Sequence, residues 1–348
     1  MTARIWKLGR ASFRALEPYD PANLRCNIDL SDNTNLWGAP PAAQASLNVT
    51  DSSTLTRYPQ PYSRGLTNVL AEYLGVDGNM VIAGCGSDDL LDSAIRAFGE
   101  PGDTLAQLDP TFGMIRVFAT VNGLSVTAIP ARGGKGAEAL IGADAQIIYM
   151  CSPNNPTGDI LDADLIERIV ERAQGLVIID EAYAEFAGVS SVGLLARYEN
   201  ILITRTLSKA FGLAGLRIGY AAGSPAIVRE VEKSRGPYKV TSLAERAAMA
   251  AMMNDRAWVD EKVTEARTNR ERFAERLRGL GLDPIESQAN FVLVPVADAR
   301  VTAGRMANSG VAVRQLENLT GIGDALRITI GPWPMMEECL SALEAAIQ

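Results

Sequence analysis

The chain has 348 residues, of which 47% are hydrophobic and 21% charged; that is enough apolar surface to bury a core and too long a chain for one small module. Its 33 basic and 41 acidic residues leave a net charge of -8, the opposite balance to that of a general nucleic-acid binder. Histidine is absent, which excludes a Ser-His-Asp triad, a Cys-His dyad and any histidine-ligated metal, and leaves acid–base work to Lys, Asp, Glu, Tyr or Cys.

The opening run MTARIWKLGRASFRAL lacks the continuous apolar core of a secretory signal. No run of about 18 apolar residues occurs, so no membrane span is expected. Cys26, Cys85, Cys151 and Cys339 lie far apart with no CxxC pair, which fits free thiols in a reducing cytoplasm. The first 40 residues are loop-rich, with Pro18, Pro21 and Pro40. Next, short apolar runs at 80–83, 104–108, 125–129, 146–151, 176–180, 201–204 and 218–221 predict strands. Segments 88–98, 112–120 and 162–173 predict helices between them. This alternation predicts an α/β fold whose mostly parallel sheet is covered by helices, with unbroken apolar strands because both faces are buried. From residue 242 the texture changes. The pattern predicts one long helix over 243–280, with Ser242 as N-cap and Gly279 or Gly281 as stop. Strands at 290–296, 311–314 and 326–330 and a last helix over 335–347 follow, as in a smaller α+β domain. The expected organisation is an N-terminal segment 1–40 packing with the small domain, a large domain 41–242 and a small domain 243–348.

Four segments carry chemistry. In TLSKAFGLAGLR at 206–217, Lys209 follows a strand and sits among small and apolar residues. Desolvation lowers an ammonium pKa and makes the amine a nucleophile toward carbonyls. Thr206, Ser208 and Arg217 flank it with two hydroxyls and a guanidinium suited to a phosphate monoester. In LVIIDEAY at 176–183, an apolar strand delivers Asp180 to the crevice where open α/β sheets bind ligands. A carboxylate there could pair with a protonated pyridine nitrogen, and Tyr183 could donate to a ring oxygen. Asp-Glu after a strand also fits a Walker B motif, but the Gly-x-x-x-x-Gly-Lys-Ser/Thr loop which that reading needs is missing. SPNNPTG at 152–158 predicts a tight turn presenting Asn155. GCGSDDL at 84–90 opens a helix on glycines that let backbone N–H groups approach an anion; with Ser87 and Asp88 it suits one phosphate better than a dinucleotide.

Together these segments resemble the fold-type I family of pyridoxal-phosphate enzymes, and 206–215 matches the lysine signature of its class II aminotransferases. Outlying segments are most similar to the histidinol-phosphate aminotransferase group: FRALEPY at 13–19, LSDNTNLWG at 30–38, RYP at 57–59, PY at 237–238, SLA at 242–244 and ALRITIG at 325–331. The resemblance implies pyridoxal 5'-phosphate as cofactor and a large domain with a mostly parallel mixed sheet plus a smaller α+β domain. It implies that Lys209 is the Schiff-base lysine and proton shuttle, that Asp180 pairs with the pyridine nitrogen, and that Asn155 and Tyr183 contact the ring oxygen. Phe112 takes the place of the ring-stacking aromatic. Ser87, Asp88, Thr206, Ser208 and Arg217 serve the cofactor phosphate, with Tyr58 supplied across the interface of a homodimer. Arg327, Tyr19 and Asn35 belong to the substrate side, where Arg327 clamps a carboxylate.

The sequence departs from the family where Asn-Glu-Asn-Pro reads Asn33-Thr34-Asn35-Leu36, where Phe112 replaces a common tyrosine, and where Lys239 replaces an asparagine. These positions bear on the substrate rather than the cofactor. The implied reaction is transamination between glutamate or 2-oxoglutarate and a second substrate, histidinol phosphate with imidazole-acetol phosphate. Aromatic amino acid transamination, a threonine-phosphate decarboxylase-like activity and a non-catalytic binding protein are the alternatives. Small-molecule amino and keto acids, not nucleic acid or membrane, are the expected partners.

Overall fold

Runs of β-branched and other apolar residues become the strands, and several of them stop at a residue that breaks the run, as at Asp109, Pro130, Asp180, Gly223 and Pro295. The structure, a computed structural model, describes residues 10–14, 16–18, 26–48, 51–131 and 135–348. A short strand β1 (Ile28–Leu30) precedes the helices α1 (Pro41–Ser46) and α2 (Arg64–Leu74). Then come β2 (Val81–Cys85), α3 (Gly86–Phe98), β3 (Thr104–Asp109), α4 (Met114–Asn122), β4 (Ser125–Pro130), β5 (Ile147–Cys151), α5 (Ala163–Arg172), β6 (Leu176–Asp180), β7 (Ile201–Thr206), β8 (Ile218–Gly223) and α6 (Pro225–Lys233). Strands β2 to β8 form a seven-stranded sheet in the order β2-β8-β7-β6-β5-β3-β4. Only β8 runs antiparallel to its neighbours; β3 to β7 pair in parallel.

Period-two alternation sends each central strand into two cores. Ile147, Tyr149 and Cys151 of β5 pack with α3, α4 and α6, whereas Ile148 and Met150 pack on the opposite face with α2 and α5. The α5 helix shows why such segments fold against the sheet. Its N-cap Asp162 accepts from the N–H groups of Asp164 and Leu165 at 3.0 and 3.1 Å, and Leu165, Ile166, Ile169 and Val170 make one buried stripe.

The predicted long helix is two helices, α7 (Ser242–Asn254) and α8 (Arg256–Gly279), broken at Asp255. Asp255 leaves the helical path because its carboxylate accepts from Ala42 and Ala43 N–H, both at 3.1 Å, at the start of α1. Pro41 opens α1 without an N–H, and no side chain of its own N-cap serves that turn. The N-cap of α7 is Thr241 rather than Ser242, its hydroxyl accepting from Ala244 N–H at 3.2 Å. The first half of α8 buries Val259, Val263 and Ala266 in the core of the seven-stranded sheet, while Phe273 and Leu277 enter a second core.

That second core belongs to a four-stranded sheet, order β1-β10-β11-β9, built from β9 (Phe291–Pro295), β10 (Val311–Leu319) and β11 (Gly323–Thr329) with β1. Helices α9 (Ala299–Asn308) and α10 (Trp333–Ile347) complete it. The β1 strand pairs in parallel with β10, Ile28 opposite Val311. The hairpin β10–β11 is longer than its apolar runs predict, because its outer half is polar and half-exposed and is held by pairing rather than burial. Among the described residues no helix is long and apolar enough to cross a membrane.

The Asp255 cap gives a stability prediction. Asp255→Ala should lower unfolding free energy by about 1–2 kcal/mol in urea titrations; an unchanged midpoint would refute the capping role.

Candidate active site

Parallel strands deliver their carboxyl ends to one edge, so the residues that follow them converge. After β3 come Thr111 and Phe112, after β5 Asn155, at the end of β6 Asp180 and then Tyr183, and after β7 Ser208 and Lys209; all line one cavity of about 620 Å³. Asp32 and Asn33 beyond β1, and Arg314, Leu316, Leu319 and Arg327 of the hairpin, form its other wall.

One end is shaped for an anion. Ser87 and Asp88 lie in the first turn of α3, and Thr206, Ser208 and Arg217 stand around it. Two glycines make this possible. A Cβ on Gly86, whose φ is +80, would lie 2.6 Å from Arg217 Nη2, and one on Gly219 would lie 2.1 Å from the Ser87 nitrogen. The Thr206 hydroxyl accepts from Ser208 N–H at 3.1 Å and donates to Ser208 Oγ at 2.9 Å. Arg217 Nη2 stands 3.4 Å from Asp88 Oδ2.

Asp180 is 3% exposed. It accepts from the Tyr149 hydroxyl at 2.9 Å and from Ala182 N–H at 3.1 Å. Burial nevertheless dominates and raises its pKa to about 6. Lys209 donates from Nζ to the Asp32 carbonyl at 2.9 Å. Burial first, and then the charge of Arg327, lower its pKa to about 8. Tyr183, pushed up to about 12 by burial, accepts at its hydroxyl from Asn33 Nδ2 at 3.0 Å and packs edge-on against Phe291. Asn155 Oδ1 accepts from Arg327 Nη1 at 2.7 Å, and Arg327 Nη2 donates to the Ser31 carbonyl at 2.7 Å. These bonds lock the guanidinium and turn the Asn155 amide.

Of the remaining predicted residues, Asn35 and Tyr58 lie outside this chain's cavity, as is expected of Tyr58 if it serves a partner subunit. Asn35 is not in the cavity wall: its Nδ2 donates to the Ala210 carbonyl and its Oδ1 accepts from Trp37 N–H, both at 2.9 Å. Asn33 lines the cavity in its stead, after a left-handed turn at φ 60. Tyr58 is 82% exposed and stacks on Tyr238 with ring centroids 4.9 Å apart, outside its own chain's cavity. Tyr19 lies outside the described residues. Lys239 pairs with Asp89 Oδ1 at 2.8 Å beside the buried Arg235, so it braces α3 from outside the cavity.

Sequence reasoning missed Tyr149 and Arg314. Period two along β5 puts Tyr149 on the same face as Cys151, whose strand partner is Asp180. Arg314 is the direct cross-strand partner of Arg327, so both point to one face of the small sheet.

The pKa of Asp180 fixes the sign of a pH effect. Its folded value of about 6 lies above the ordinary 3.8. The advantage of the neutral form is therefore fully present below about pH 4 and is lost as pH rises through 6. In cofactor-free protein, Asp180→Asn should gain stability relative to the parent by roughly 2–3 kcal/mol between pH 4 and 7. A pH-independent difference in unfolding would contradict this.

The signature of the family "Aminotransferase class I and II" matches residues 25–345. The chain is 31% identical over 347 residues to the histidinol-phosphate aminotransferase of Caldanaerobacter subterraneus subsp. tengcongensis, covering 97% of this chain and 98% of that protein. The crystal structure of histidinol-phosphate aminotransferase from Sinorhizobium meliloti in complex with pyridoxal-5'-phosphate superposes with a TM-score of 0.89 at 24% identity, over 97% of both chains. L-threonine-O-3-phosphate decarboxylase from Porphyromonas gingivalis has the same fold, with a TM-score of 0.81 at 22% identity over 91% of this chain and 98% of that one. A cavity that joins a glycine-built anion cradle, a buried acid and a desolvated lysine, in a chain matched along nearly its whole length, makes this protein a member of the class I and II aminotransferase family.

Proposed function

We propose that the protein is a pyridoxal 5'-phosphate-dependent aminotransferase that exchanges an amino group between glutamate or 2-oxoglutarate and histidinol phosphate or imidazole-acetol phosphate, as a cytoplasmic homodimer. The observation that carries this reading is the meeting of Asp180 and Lys209, one acid raised to about 6 and one amine lowered to about 8, in the cavity that holds the anion cradle. Relatives named histidinol-phosphate aminotransferase, at 31% identity and above, support the substrate.

The residues fit the cofactor. Ser87, Thr206, Ser208, Arg217 and the α3 N-terminus would take its phosphate, Asp180 its ring nitrogen, Asn155 and Tyr183 its ring oxygen, and Phe112 a face of the ring. When bound, it supplies an electron sink that lets the bond from the substrate's α-carbon to hydrogen ionise. Asp180 would hold a proton on the ring nitrogen by offering a buried negative charge. The Lys209 amine, neutral for an appreciable fraction of the time near pH 8, would be the nucleophile available to a carbonyl group held in this cavity. It would also be the base that takes the α-proton and the acid that returns it. Arg327, already locked by Asn155 and Ser31, binds the substrate's carboxylate with a planar fork that lysine lacks. Arg314 beside it offers a second cation for the far end of a longer, phosphorylated substrate.

Exposed Leu55 (69%), Tyr58 (82%) and Met253 (65%) support an interface between two copies. Tyr58, which does not reach its own cavity, would serve the partner subunit's phosphate cradle. A fully active monomer in sedimentation would contradict this. Lys209→Ala should lower turnover by about 10³-fold or more while the fold persists; retained activity would refute the assignment. A panel of glutamate, histidinol phosphate and phenylalanine, read by the cofactor's visible spectrum, tests the reaction itself. The reading predicts a shift of the band and a keto product. A band that no donor shifts indicates a binding protein, and release of carbon dioxide indicates a decarboxylase.

A further inference from the structure

One side-chain contact joins the two walls of the cavity mouth without belonging to the chemistry. The hairpin β10–β11 pairs irregularly between Leu316 and Leu319, and its outer end is fixed from within. Asn318 adopts φ 54, and its N–H donates to Asp324 Oδ1 at 3.0 Å. Asp324 Oδ2 accepts from Ala299 N–H at 3.0 Å, at the start of α9. Ile322 N–H donates to the Leu319 carbonyl at 3.0 Å. The hairpin end is therefore a stiff arm, not a loose loop. Leu316 and Leu319 face the cavity from this arm, and Thr111 and Phe112 face it from the segment after β3. Between those pairs, the Thr320 hydroxyl donates to the carboxylate of Asp109, the last residue of β3. Thr320 follows Leu319 directly, and Asp109 stands just ahead of Pro110 and Thr111. A bond between Thr320 and Asp109 is thus a bond between the walls.

We propose that Thr320 and Asp109 are positioning residues for the longer substrate: their bond pins the hairpin across the mouth and holds Arg314, Leu316 and Leu319 at a set distance from the cofactor cradle. The proposal rests on the function proposed above. Neither side chain lines the cavity, so neither touches the reacting atoms. Both are half-buried, and a hydroxyl that donates to a carboxylate makes a stronger bond than one between two neutral groups. Without this tie the arm keeps its own bonds and its anchor to α9 but loses its side-chain link to the opposite wall, so the substrate itself has to fix the spacing of the two walls, a cost that weakens binding. The carboxylate clamp is insulated from the loss, because Arg327 has its own bonds to Asn155 and Ser31. Lys209 and Asp180 stand on the other sheet. The effect therefore falls on KM and leaves kcat nearly unchanged.

The test uses the cofactor-loaded enzyme and histidinol phosphate, the longer, phosphorylated donor of the panel above. Thr320→Val, which keeps the branching and removes the hydroxyl, should raise KM by about tenfold with kcat within about twofold. Thr320→Ser should restore both to within about twofold of the parent, and adding Asp109→Ala to Thr320→Val should bring no further loss. An unchanged KM in Thr320→Val, a loss confined to kcat, or a loss that serine does not restore would overturn the proposal. A parent enzyme that no donor converts would remove the proposed function as well, which distinguishes the two failures.

Discussion

A carboxylate withdrawn from water at the end of a central strand is the constraint around which the site is organised. Asp180 closes β6, where the strands on either side cover it, and Tyr149 and Ala182 supply donors that offset only part of its desolvation. Such a group either keeps its proton or finds a cation. Lys209 meets the same low-dielectric cavity from β7 and loses basicity for the mirror-image reason. Burial moves the two groups toward neutrality from opposite sides, and a ligand with a basic nitrogen at one end and a carbonyl near the other would satisfy both.

The cavity divides its labour between two sheets. The seven-stranded sheet provides the anion cradle, the acid and the amine, and the small sheet provides the guanidinium pair. Arg314 and Arg327 lie side by side because antiparallel pairing sets them opposite each other. The bond from Arg327 to Asn155 then crosses from the small sheet to the loop after β5, and α8 contributes side chains to both cores. A substrate lying between the sheets therefore meets one set of groups for its reacting carbon and another for its charged ends.

Much of this layout can be read from the sequence because strand ends are marked chemically. The run Leu176–Asp180 ends where its apolar character ends, and its bounds follow to the residue. Other features depend on contacts distant in the chain. The break at Asp255 interrupts a helical pattern with no Gly or Pro to mark it, and its cause, the first turn of α1, lies 213 residues away. A left-handed residue at Asn33 shifts which asparagine faces the cavity; asparagine tolerates that conformation, but Asn-Thr-Asn does not mark which of its two asparagines adopts it. Tyr149 reads as one more core residue of an apolar strand until the neighbouring strand supplies its acid. Arg314 sits where β10 turns polar, so by pattern it belongs to a solvated edge, and only register reveals it as a neighbour of Arg327.

The central claim is that the Lys209 amine bonds covalently to a carbonyl cofactor anchored by Asp180 and the anion cradle. It is tested most directly by borohydride treatment of the purified yellow protein followed by peptide mass mapping. The account predicts loss of the visible band and one pyridoxyl group on the peptide carrying Lys209. Colourless protein that still leaves no adduct after incubation with pyridoxal 5'-phosphate, or an adduct on any other lysine, would contradict it.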